Sequence, residues 1–304
     1  MFRRLVLSVI TMAAFGWALL HTHGQSSQRD AAAQSTVQFS RATDDSGGPE
    51  HQYSLAKRYA KGDGVLQDYR KAAECMRRAA EQGLAKAQND LGALYARGEG
   101  VSRDYEEAAK WYRRAAEQGD ALAQYSLGRS LLLGRGVKQD KDAAVGWYLK
   151  SAEQNQAEAQ SALGNLYLNG EAGETNYVKA AQWLRKAAEQ GYVGAMNNLA
   201  FLHEFGLGVS RNPEEAARWY RAGAERNDPK AQANFGVMCG EGTGGVPQDF
   251  VQGYKWLKLS ALQGDPVGRK YMLDFENGQW AITSNQVAEA ERLVQDFLTS
   301  QRRK

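Results

Sequence analysis

Cysteine and histidine are scarce in this 304-residue chain, with two of the first and four of the second. That scarcity removes most metal and thiol chemistry. Cys75 and Cys239, and His51 and His203, stand too far apart for the close ligand spacing of a structural zinc site, so no metal or cofactor is expected. Stacked helical layers about 10 Å apart would hold the two thiols beyond disulfide reach. They read as buried thiols, with an intermolecular pair as the alternative. No strong excess of either charge is present: 38 Lys and Arg face 35 Asp and Glu, a formal net charge of +3. Losing residues 1–24, which carry only Arg3 and Arg4, lowers that to +1 (3 − 2). A nucleic-acid surface is therefore not expected. Gly98-x-Gly100 and its equivalents lack the Gly-Lys-Ser/Thr ending and preceding strand of a phosphate loop, and read as turn glycines. No nucleophile with a partnered base can be assembled, which argues against an enzyme.

One stretch lacks charge altogether. After Arg3-Arg4, the sixteen residues from Leu5 to Leu20 carry none, and a basic start followed by such a run reads as a secretory signal. It is shorter than the roughly 20 apolar residues of a spanning helix. Thr22 and Gly24 suggest cleavage after residue 24, with a retained membrane tether as the alternative. Residues 25–48 are rich in Ser, Gln, Ala, Thr and Gly and read as a disordered linker.

What the chain has in abundance is repetition. Trp111, Trp147, Trp183 and Trp219 lie 36 residues apart, and Trp256 follows after 37. Six copies emerge from the column Leu55, Leu91, Leu127, Leu163, Leu199 and Phe235, each followed by Gly or Ala. A glycine then recurs at 62, 98, 134, 170, 206 and 242. Such a period predicts a helical repeat array. Within a copy, Ala87, Leu91, Leu94 and Tyr95, then Ala108, Trp111, Tyr112 and Ala115, keep helical spacing on either side of a glycine break. Asp68, Asp104, Asp140, Asn176, Asn212 and Asp249 stand where a side-chain oxygen would cap the second helix. The Gly or Ala after each Leu suits a close helix crossing, so Gly128→Leu should overpack it. The tryptophans are expected in the core. Residues 49–268 would hold the copies, and 269–304 would form C-terminal capping helices, with Thr283-Ser284-Asn285-Gln286 as a capping box.

The pattern Ala-x-x-x-Leu-Gly-x-x-Tyr-x-x-Gly-x-Gly-Val-x-x-Asp-x-x-x-Ala-x-x-Trp-x-x-x-Ala-Ala, from Ala87 to Ala116, resembles the Sel-one-like repeat (SLR) family, a relative of the tetratricopeptide repeat. The resemblance implies an all-α fold, a right-handed α-α superhelix (solenoid) of six SLR helix-turn-helix repeats with a C-terminal capping helix. It also implies a scaffold or adaptor for other proteins. Some bacterial relatives are linked to penicillin binding or β-lactamase activity, so a peptidoglycan- or β-lactam-directed hydrolase is the alternative. This chain lacks the paired cysteines of the cysteine-rich exported members.

By the same resemblance, first helices line the concave face. Non-core positions there that vary between copies are Tyr53, Asn89, Tyr125 and Asn197 in one column, and Lys57, Arg129, Asn165 and Phe201 in another. These are the candidate protein-binding residues. A long mixed surface suits a peptide segment or a partner's helix better than a small metabolite. The expected protein is an exported, periplasmic scaffold of the bacterial envelope, with no membrane contact once the signal is removed.

Overall fold

The computed structural model describes residues 47–278 and 280–303. The expected signal, 1–24, and the linker through residue 46 lie outside the described residues. Among the described residues there are fourteen helices and no strand. They are α1 (Pro49–Lys61), α2 (Tyr69–Glu81), α3 (Ala85–Arg97), α4 (Tyr105–Glu117), α5 (Ala121–Leu133), α6 (Lys141–Glu153), α7 (Ala157–Asn169), α8 (Tyr177–Glu189), α9 (Val193–Phe205), α10 (Pro213–Glu225), α11 (Pro229–Glu241), α12 (Phe250–Leu262), α13 (Pro266–Glu276) and α14 (Ser284–Arg302). Two compact units divide between Ala115 and Ala116, inside α4. Through α12, odd-numbered helices are the first and even-numbered helices the second of each copy.

Local chemistry sets the helix boundaries. Asp68, Asp104, Asp140, Asn176, Asn212 and Asp249 each accept backbone N–H groups two or three residues ahead, as their place in the sequence predicts. Each such cap is worth about 1 kcal/mol. The first helices end on Gly62, Gly98, Gly134, Gly170, Gly206 and Gly242, all left-handed. The second glycine of the turn has a different task. Gly208, at φ +69°, lies so close to the backbone of Tyr177 that no side chain fits there.

Within each unit the core fills each hairpin and the space between neighbouring hairpins. Leu91, Leu127, Leu163 and Leu199 are fully buried. Beside this column, a Cβ added to Gly128 would stand 2.9 Å from the Tyr148 ring, and one on Gly236 2.8 Å from Leu257 Cγ, so the crossings need the missing side chain. The tryptophan column departs from expectation. Trp111 and Trp256 are buried, but Trp147, Trp183 and Trp219 are only half-buried, while the residues after them, Tyr148, Leu184 and Tyr220, are sealed. Successive helical residues are rotated by about 100°, which leaves these indoles on the flank of the apolar stripe. A cation three residues on covers several of them, with Arg114, Lys150 and Lys186 standing 4.5, 4.3 and 4.3 Å from the ring centres of Trp111, Trp147 and Trp183.

Buried glutamines tie copy to copy. Gln88, Gln124, Gln160 and Gln232 donate to the carbonyls of Ala80, Ala116, Ala152 and Ala224 at the end of the preceding second helix. Their own amide oxygens then accept from the residue that ends the second helix of the same copy, Gln154 to Gln124, Gln190 to Gln160 and Gln263 to Gln232, at 2.7 to 2.8 Å. A half-satisfied amide in this seam would be costly, and the reciprocal pairing avoids it. At the C-terminal end the capping box at Thr283 and Gln286 opens α14. There Ala290 and Val294 are fully buried, and Phe297 meets the Trp256 ring edge-on at 5.4 Å.

Candidate functional site: the first-helix face

In the unit beginning at Ala116, first helices of successive copies lie against one another, α9 touching both α7 and α11. Their outward side chains therefore reach across to the next copy. In the unit ending at Ala115, Tyr53 Oη donates to Asp90 Oδ2 at 2.9 Å, and Lys57 Nζ stands 3.1 Å from the same oxygen. Burial alone would lower the Lys57 pKa, but Tyr53 and Asp90 outweigh it and hold the ammonium above its ordinary value. Asn89 faces inward, 8% exposed, its amide 3.4 Å from Asp90 Oδ1.

In the unit beginning at Ala116, amides replace this acid–base cluster. Asn198 Nδ2 donates to Asn165 Oδ1 at 2.7 Å, Asn197 Nδ2 to Asn198 Oδ1 at 3.2 Å, and Asn234 Nδ2 to Asn197 Oδ1 at 3.0 Å. One turn beyond Asn197, the Phe201 ring packs against Phe205 with centres 4.8 Å apart. Both remain open to water, 40% and 57% exposed. Tyr125 rests on Tyr148 with ring centres 5.5 Å apart, and Arg129 is exposed.

The structure thus joins Asn165 to Asn197 through Asn198, and Tyr53 to Lys57 through Asp90. The linking column, Asp90, Asn198 and Asn234, was missed by the sequence reading. Its signal was present: an acid or amide stands directly before the core Leu or Phe, at Asp90-Leu91, Asn198-Leu199 and Asn234-Phe235.

Other reactive side chains are held quiet. Burial pushes the Cys239 thiol up to about 12, so it stays protonated at neutral pH, and Cys75 is buried as well. His203 is 6% exposed, and its Nε2 lies 2.9 Å from Arg185 Nη2. Burial first, then the Arg185 charge, lowers its pKa. Its Nε2 therefore accepts from Arg185. Among the described residues no cluster of three or more His, Cys, Asp or Glu could hold a metal ion, and no helix is long and apolar enough to cross a membrane.

Residues 49–84, 85–120, 121–156, 157–192, 193–228 and 229–265 each match the Sel1 repeat. The chain is similar to the crystal structure of c5321, a protective antigen present in uropathogenic Escherichia coli strains and displaying an SLR fold. Identity is 37% and the TM-score 0.71, over 83% of this chain and 54% of that one. It is also similar to a Sel1 repeat protein from Oxalobacter formigenes, 30% identical with a TM-score of 0.68, over 76% of this chain and 66% of the other. The chain thus spans about half the length of the first and two thirds of the second. No curated protein is a significant match.

Proposed function

The chain belongs to the Sel1 repeat family, and we infer that it is an exported scaffold of the bacterial cell envelope that binds a protein or peptide segment along its first-helix face. The observation that carries this reading is the exposed Phe201–Phe205 pair beside the amide ladder of Asn165, Asn198, Asn197 and Asn234. Core packing requires neither feature. An exposed aromatic pair supplies apolar anchorage, and neighbouring amides can donate to and accept from a partner's backbone. Two features support export: the basic and then uncharged N-terminal segment, and similarity to a protein described as a protective antigen.

The test is in-cell crosslinking in a Gram-negative host, followed by capture from the periplasmic fraction. Wild type is expected there, beginning after residue 24 and carrying crosslinked partners, and a variant with Arg129, Phe201 and Phe205 changed to Ala is expected to lose them. Equal capture by both proteins overturns the face assignment. An intact Met1 overturns the cleaved-signal reading.

A further inference from the structure

The second helix of the fourth copy lacks the acid pair that opens two of its counterparts. In α4 and α10 the first turn carries two acids, Glu106-Glu107 and Glu214-Glu215. The second acid of each pair holds a cation three residues on, Lys110 at 2.6 Å and Arg218 at 3.0 Å. The equivalent residues of α8 are Val178, Lys179 and Gln182, and no acid stands in its first turn. Among the described residues, Lys179, Arg185 and Lys186 make no ion pair. Lys179 and Lys186 stand instead over the rings of Tyr167 and Trp183, at 5.2 and 4.3 Å, and Arg185 is fixed by His203.

These three cations line an open cleft of about 640 Å³, with Glu189 as its one carboxylate. Leu149 and Val178, 37% and 54% exposed, give it an apolar wall. The cations run along the helix rather than converging. Lys179 and Lys186 are seven residues apart, about 10 Å along the axis, beyond the reach of one small inorganic anion. A peptide in polyproline II geometry turns the same side outward every third residue, after about 9 Å. We propose that this outer cleft docks an acidic, extended segment of a protein partner, at a surface separate from the first-helix face.

The probe is a fluorescein-labelled peptide with glutamate at every third position between leucine and serine residues, mixed with the full chain. Its glutamine counterpart, inorganic phosphate and a polyuronate are the comparison ligands. The glutamate peptide is expected to bind saturably and the glutamine peptide not to. Added salt should weaken binding. The double variant K179Q/K186Q removes two exposed charges outside the core and should bind about tenfold more weakly, with an unchanged thermal midpoint. Phe201→Ala, on the other face, should leave peptide binding unchanged, so this surface fails or stands apart from the first-helix assignment. Binding of the polyuronate but not the peptide overturns the proposed partner. Absence of glutamate-peptide binding, or equal affinity of the double variant, overturns the site.

Discussion

A glycine at 128 and a tyrosine at 148 share one volume, and the array depends on the glycine yielding it. The added Cβ would meet the ring at 2.9 Å. Gly128→Leu is therefore expected to destabilise the protein by about 3 kcal/mol through overpacking, read as a lower denaturant midpoint. Gly146 is the control, since a Cβ there meets nothing within 4 Å in the middle of α6. Gly146→Ala should stabilise by about 0.5 to 1 kcal/mol from helix propensity alone. If both substitutions act alike, the crossing is not the reason for the glycine. The small-residue column was legible in the sequence because it repeats. The half-exposure of Trp147 and Trp183 was not: spacing marks a residue as regular, and only the rotation of the helix decides whether it points inward or along the flank.

At the scale of the element, the pairing of α8 with α9 carries a pH dependence. His203 holds its proton less tightly in the folded chain than its ordinary value of 6.5, because burial and Arg185 both disfavour the imidazolium. Glu215 and the Ser210 backbone oppose this without reversing it. The unfolded chain consequently binds the proton first as the medium is acidified. The contribution of this group to stability is complete above pH 6.5 and is lost as pH falls below it. Thermal melts at mildly acidic and neutral pH should show a larger loss for wild type than for His203→Gln, whose amide can still accept from Arg185. Parallel losses would remove His203 as the cause. The caps of the second helices were legible, since one side-chain oxygen in a fixed place suffices. The first-helix ladder was legible only in part. Tyr53, Lys57, Asn165 and Asn197 could be named one at a time, but their joining residues Asp90, Asn198 and Asn234 depend on the offset between neighbouring helices, which one copy does not contain.

For the molecule as a whole, a stack has ends, and the C-terminal end is closed by α14. Tyr254 donates to Glu291 at 2.8 Å, Lys258 pairs with the same carboxylate at 3.1 Å, and Ala290 and Val294 complete the seal. Ending the chain before Thr283 would expose the apolar faces of α12 and α13, including Leu259, Met272 and Trp256. Several kcal/mol of burial would be lost, so the thermal midpoint should fall on the order of 10 °C, with self-association on size-exclusion chromatography. A truncated chain that stays monomeric and melts like wild type would show that α14 is not a cap.

The sixth copy carries one residue more than copies two to five, and the hydrogen bonds across its hairpin do not register it as damage. Gln154 reaches Gln124 over 30 positions and Gln263 reaches Gln232 over 31, with hydrogen bonds of 2.8 Å in both. Ser151 and Ser260 likewise donate to Ala121 and Pro229 over 30 and 31 positions, each at 2.7 Å. The surplus residue sits in the Gly242–Val246 turn. A turn of this array can therefore gain a residue while leaving the interior ruler untouched. In that way a lineage can change what the array recognises without having to solve its folding again.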